Sequence, residues 1–182
     1  VVAHHQRVKA AYDGFLPEIQ AYLTALPGVL LQGLGDQARH LYNAFNRADP
    51  PGDLLHALWL PVAENGKIEV EFAGEPGARY DALIVFSEGH IKCLGLAILL
   101  AKNLAQGCPV VIFDDVVNAI DDDHRDGIWR TFFEDGLLHG KQVILTSHAE
   151  EFLHRIQQEL GVRRAAAIKR YKFLPHQGEH EL

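Results

Sequence analysis

Ile112-Phe113-Asp114-Asp115-Val116-Val117-Asn118-Ala119-Ile120-Asp121 is the stretch on which the fold turns. It continues an apolar run that starts at Pro109 and changes abruptly into two adjacent carboxylates. An apolar run bounded by turn residues reads as a strand buried on both faces, as in a parallel sheet. Ligand chemistry in open α/β sheets sits at the carboxyl ends of such strands. Asp114 and Asp115 fall at that end. One acid there can hold Mg²⁺, largely through water, and the next can polarise an attacking water. The same residues also read as an apolar strand followed by a solvated acidic turn, so their neighbours decide.

Downstream, Asp121-Asp122-Asp123-His124-Arg125 opens a helix expected over Asp126–Glu134, with Ile128, Trp129, Phe132 and Phe133 apolar. Gln142 to Leu145 is a second short apolar strand, ending in Thr146-Ser147-His148. Strand, helix, strand implies a parallel crossover, which sets His148 on the same rim as Asp114 and Asp115. A helix over Glu150–Leu160 and a closing strand over Ala166–Phe173 follow, the latter with a basic edge at Lys169, Arg170 and Lys172. His176 and His180 in the tail lack Cys partners or a defined metal-site spacing.

Upstream, Ser87-Glu88-Gly89-His90 precedes a helical stretch with Ile91, Leu94, Ile98 and Ala101 on one face. Ser87 stands at the N-cap, Glu88 in the dipole-favoured first turn, and Gly89 where the backbone can approach a ligand. A capped helix start of this kind can cradle a phosphate; it also serves as an ordinary capped core helix. Before it, Ile68, Val70 and Phe72 alternate with Lys67, Glu69 and Glu71 as in a half-buried strand. A further strand is expected over Ala57–Val62, joined to it by the hairpin signal Asn65-Gly66. Phe15, Leu16, Ile19, Tyr22, Leu23 and Leu26 give one apolar helical stripe in Val1–Leu26, with a stop at Pro27-Gly28. A second helix is expected over Asp36–Asn46, before the breaker Asp49-Pro50-Pro51-Gly52-Asp53.

Composition bounds the remainder. With 48% hydrophobic and 23% charged residues among 182, the chain is ordinary globular material. No apolar run reaches the ~20 residues of a membrane span and no signal-peptide pattern heads the chain, so a cytoplasmic protein away from the membrane is expected. Cys93 and Cys108 lie in or beside apolar segments and read as reduced thiols. A net charge of −7 argues against bulk electrostatic binding of nucleic acid. The start at Val1 and the lack of any Met point to a fragment of something longer.

In their order, the Ser-x-Gly helix start, the strand ending Asp-Asp, the Asn-Ala-Ile-Asp turn and the strand ending Thr-Ser-His resemble the C-terminal half of an ABC-type ATPase head. The likeness is to the SMC/RecF/RecN group of DNA-repair and phage-defence ATPases and covers roughly Leu54–Phe173. It implies an α/β fold, the C-terminal half of a P-loop ATPase head, with a mostly parallel sheet flanked by helices. Residues 1–47 would be a helical lead-in, the end of a returning coiled-coil arm, and residues 48–182 the C-terminal lobe. The resemblance implies ATP and Mg²⁺ as cofactors. Asp114 matches the Walker B acid on the metal, Asp115 the catalytic acid, and His148 the switch histidine. Ser87, Glu88, Gly89 and His90 match the signature motif that meets ATP on the partner head, and Asn118 to Asp121 the D-loop. Glu88 departs from the usual Gly, His90 from the usual Gln or Glu, and Asp115 is one methylene shorter than the usual Glu. No Gly-x-x-x-x-Gly-Lys-Ser/Thr occurs, so the phosphate loop is expected on a separate N-terminal lobe, the first partner. The other implied partners are a second head, dimerising on ATP binding, and DNA. Alternatives are an interaction module with relic motifs, or an ATPase regulator of an attached effector nuclease.

Overall fold

A computed structural model of the protein describes residues 2–63, 65–115, 120, 122–147, 154, 158, 169 and 171. The chain opens with one helix, α1 (Val2–Phe45), of 44 residues and about 66 Å at ~1.5 Å per residue. Pro17 and Pro27 both lie inside it, so the expected stop at Pro27-Gly28 and the separate second helix are corrected to a single run. Each proline removes one N–H from the helical ladder. Residues 4–33 are exposed apart from the half-buried Leu26 and Leu31, so water can hydrate the carbonyls that the prolines release. The breaker at residues 49–53 acts as expected and forms turns.

Only the last turns of α1 are buried. Ala38, Leu41, Tyr42 and Phe45 recur at three and four and pack in one core with Cys93, Leu94, Ala97, Leu100 and Ala101 of α3 (Glu88–Ala105). Ala38, Ala97 and Ala101 have no exposed surface, and their small side chains let the two helices approach closely. Gly35 sits against the carbonyl of Leu58, where an added Cβ would lie 2.7 Å from the oxygen. Asn43 fixes the register at this end: its amide donates to the Leu55 carbonyl and accepts from the Leu55 N–H, each at 2.9 Å. The side chain thereby completes the strand edge as another backbone would.

Strands β1 (Leu55–Trp59), β2 (Glu69–Phe72) and β3 (Tyr80–Asp81) form an antiparallel sheet in that order. Val70, fully buried on β2, confirms the alternating reading of that strand. The expected strand over Ala57–Val62 is shifted toward the N-terminus, leaving Pro61 in the connection, and Asn65-Gly66 lies in a longer loop rather than a two-residue hairpin. A short helix α2 (Ala82–Val85) leads into α3.

The stretch at residues 110–114 forms β4 (Val110–Asp114), paired in parallel with β5 (Gln142–Thr146) from Val110↔Gln142 to Asp114↔Thr146. The parallel pairing agrees with expectation; burial on both faces does not. Val111 and Phe113 enter the core, whereas Ile112 is 66% and Ile144 43% exposed on the other face. A "mostly parallel" sheet is likewise corrected: the described strands make a three-stranded antiparallel sheet and a two-stranded parallel one. Between β4 and β5, helix α4 begins at Asp122, earlier than expected, and runs to Trp129. Asp122 and Asp123 of the acidic run fall in its first turn, where the helix dipole favours acids. It continues as a π-helical turn over Arg130–Glu134, closed by Asp135 N–H on the Arg130 carbonyl at 2.8 Å. Gly127 of α4 passes so close to α1 that a Cβ would fall 1.8 Å from the Phe45 oxygen. Of the helix expected over 150–160 only His154 and Gln158 are described, both helical; of the strand expected over 166–173 only Lys169 and Tyr171 are described, both exposed and outside any strand. No helix among the described residues is long and apolar enough to cross a membrane.

Candidate functional site

The two acids stand where their sequence suggested, at the carboxyl end of β4. Asp114 is the last residue of the strand, and the Thr146 hydroxyl at the end of β5 donates to its Oδ1. Asp115 leaves the strand with φ +52, the one non-glycine residue with positive φ among the described residues. Its N–H is held by the Thr146 carbonyl at 3.1 Å and the Thr146 hydroxyl at 3.2 Å. A left-handed conformation costs a non-glycine residue about 1–2 kcal/mol, and residues so held cluster at functional sites. Thr146 thus organises both acids, a role the sequence did not suggest. Carboxylate and hydroxyl oxygens are hard donors of the kind Mg²⁺ takes, so the residues present fit that ion.

The second group lies at the start of α3. Ser87 is its N-cap, with φ −66 and ψ 164, and its hydroxyl accepts from the His90 N–H at 3.3 Å. Glu88 is exposed and pairs with Lys92 one turn on; that hydrogen bond and the ammonium charge hold its carboxyl below the usual value. Gly89 is partly covered in the same first turn. His90 turns inward: its Nδ1 lies 2.7 Å from Ser87 Oγ and its Nε2 3.2 Å from Asp49 Oδ2. Its ring stacks on Phe86 and meets the His124 ring edge-on, with centroids 4.6 Å apart. Asn118, Asp121 and His148 lie outside the described residues.

Against solved structures, the chain is similar to the Smc head domain with a coiled coil and joint from Pyrococcus yayanosii: TM-score 0.58 at 19% identity, over 82% of this chain and 28% of that one. It is similar also to the Smc head domain with an extended coiled coil bound to the C-terminal domain of ScpA from Pyrococcus furiosus, with TM-score 0.53 and 16% identity, over 84% of this chain and 38% of that one. The chain has the fold of an SMC head domain. No protein-family model and no curated protein matches the sequence. The chain spans 28% of the length of the first of these SMC heads and 38% of the second.

Within this SMC-head fold the motifs fall into two clusters, one on the β4–β5 rim and one at the start of α3. Sequence reasoning missed Asp49 and His124 as neighbours of His90. Both lie in segments that read as turn or solvated charge, and no spacing links residues 49, 90 and 124. His124, at 8% exposed, is buried against that reading.

Proposed function

We propose that this chain is the C-terminal lobe of an SMC/RecF-like ATPase head that hydrolyses ATP at a head–head interface, in DNA repair or phage defence. The observation that carries the reading is Asp114-Asp115 at the carboxyl end of a parallel pair, with Thr146 bonded to both. Asp114 would hold Mg²⁺, which when bound neutralises charge on the phosphates. The Asp115 carboxylate accepts a hydrogen bond from the attacking water and orients it. Ser87 and Gly89 offer the hydroxyl and N–H groups of a helix start to the nucleotide of a second head, with Glu88 and His90 flanking them. Asn118 and Asp121 are assigned to the same interface, and His148 to the γ-phosphate.

Two exposed apolar surfaces support an incomplete unit. Parallel sheets occur with both faces covered, yet Ile112 and Ile144 leave one face of the β4–β5 pair open, beside Leu99 of α3 at 68% exposure. We assign that face to the lobe that carries the phosphate loop. On α1, Val8, Tyr12, Phe15, Ile19, Tyr22 and Val29 form an exposed stripe at alternating three- and four-residue steps around Leu26, the pattern of a coiled-coil seam. We assign it to the returning arm of residues 1–47.

The test is ATP hydrolysis by this chain alone and recombined with an N-terminal lobe bearing the phosphate loop, over a range of protein concentrations and with or without duplex DNA. Activity only on recombination, rising faster than linearly with concentration, is expected. Associated lobes that hydrolyse no ATP in any mixture would leave a docking module that kept the fold and lost the chemistry.

A further inference from the structure

We infer that Asp49, His90 and His124 form a binding site for a zinc-class divalent cation, a structural clip that joins the end of α1 to the starts of α3 and α4. One ligand atom from each of the three lies within 4.8 Å of the others. One edge of the site is already near its final length. Asp49 Oδ2 and His90 Nε2 are 3.2 Å apart, and two ligands on a tetrahedral zinc with bonds of ~2.1 Å stand about 3.4 Å apart. A rotamer-scale movement of His124 closes the remainder.

The chemistry of the set is selective. Two imidazoles and one carboxylate suit zinc and its neighbours, whereas Mg²⁺ and Ca²⁺ prefer all-oxygen sites. Three protein ligands leave a fourth position for water. The surroundings have the features of a metal site rather than of a surface ion pair. His124 is buried, and the Asp49 and His90 side chains are only 23% and 28% exposed. Phe86 and Tyr42 flank the His90 ring and restrict its movement. The outer shell is also in place. With Nε2 on the metal, His90 Nδ1–H donates to Ser87 Oγ at 2.7 Å, which fixes the tautomer and ring orientation. The Ser87 hydroxyl then accepts from both the His90 ring and the His90 N–H, leaving its own proton to donate elsewhere. Metal at Asp49 would therefore set the hydroxyl at the start of α3. The site itself does not depend on the ATPase reading.

Cobalt(II) reports the site directly. The full chain, stripped with a chelator, is titrated with Co²⁺ and then with Zn²⁺. Expected are one equivalent of tetrahedral cobalt with visible d–d bands, no strong thiolate charge-transfer band from Cys93 or Cys108, and displacement by zinc. Because His124 is buried and its variants can fail to fold, the decisive variants are Asp49→Asn and His90→Gln, each checked for native circular dichroism without metal. Each should weaken binding by more than the ~10–100-fold that loss of an outer-shell partner costs. His176→Gln/His180→Gln should bind as the parent does. Zinc should raise the thermal midpoint of the parent and leave those of Asp49→Asn and His90→Gln unmoved. No saturable binding near one equivalent, binding untouched by Asp49→Asn and His90→Gln, or a thiolate band on the bound cobalt would each overturn the proposal.

Discussion

Replacing Gly127 by Ala should destabilise this protein, although alanine is the better helix former. In an exposed helix interior the exchange gains roughly 1 kcal/mol. Here the added Cβ would stand 1.8 Å from the Phe45 oxygen and 2.7 Å from its carbon, both backbone atoms with no rotamer to turn aside. The α1 and α4 backbones must part by about 1.2 Å to reach even 3.0 Å, an overpacking that costs ~1–3 kcal/mol or more. The movement also strains a polar chain across the same junction: Thr131 Oγ1 donates to the Gly127 carbonyl at 2.8 Å and accepts from Arg47, which pairs with Asp135. With the clash falling on backbone atoms the upper end of that cost applies, and less the ~1 kcal/mol propensity gain it leaves a net loss of about 2 kcal/mol, seen as a lower urea midpoint at unchanged m-value. Two other helix glycines calibrate the measurement. Gly95 has nothing within 4 Å of its would-be Cβ, so Gly95→Ala should gain up to ~1 kcal/mol. Gly35, with the Leu58 oxygen at 2.7 Å, should fall between the two. All three share one propensity, so the ranking Gly95, Gly35, Gly127 isolates the steric term. An unchanged or raised midpoint for Gly127→Ala would refute the packing of α4 on α1.

Asn43→Leu leaves the Leu55 N–H and carbonyl without their side-chain partner and should cost ~2–4 kcal/mol by chemical denaturation; a cost below ~0.5 kcal/mol would mean that water replaces the amide freely. At Asp115, with φ +52, Gly should be about 1 kcal/mol more stable than Ala, because both remove the side chain and only Gly is relaxed there. In the complete protein both substitutions are expected to abolish ATP hydrolysis and retain ATP-dependent dimerisation, and wild-type turnover in either would end the role given to Asp115. The Tyr42 phenol is buried without a hydrogen-bond partner among the described residues, and burial, then the charge of Asp49, pushes its pKa well above the ordinary 10.0. A raised folded pKa gives stability that is complete below pH ~10 and falls by ~1.4 kcal/mol per pH unit above it as the unfolded chain ionises. Tyr42→Phe should therefore be neutral or stabilising at pH 7 and flatten the alkaline limb by one proton; an unchanged limb would place the ionisation elsewhere.

Local patterns made much of this fold legible. The apolar faces ending α1 and filling α3, the cap at Ser87, the alternation around Val70 and the parallel strands at 110–114 and 142–146 are readable because each signal lies within one element. Three things were not. Pro27-Gly28 reads as a stop, since a propensity argument weighs the lost N–H and not the water that solvates an exposed arm. The run from Val110 to Phe113 reads as buried on both faces, because an unbroken apolar run does not tell one face from the other; Val111 and Phe113 enter the core while Ile112 remains bare. Asp49 and His124 are invisible as companions of His90, because their meeting is a product of topology. Thr146 belongs with them: its place at the end of β5 was readable, but its grip on Asp114 and Asp115 depends on the register of two strands distant in sequence.

The continuity of α1 has a mechanical side. Its last turns are locked to the core by Asn43, Tyr42 and Phe45, while residues 4–33 extend free of it, a shaft of about 45 Å at ~1.5 Å per residue. A tilt of ~5° at the locked end sweeps the far tip through roughly 4 Å over such a length. Rearrangements too small to disturb the core near Gly127 thus become displacements of atomic-contact size at the tip. Sharp bends in a helix fall at prolines, so Pro17 and Pro27 decide where along the shaft that travel is transmitted and where it is absorbed.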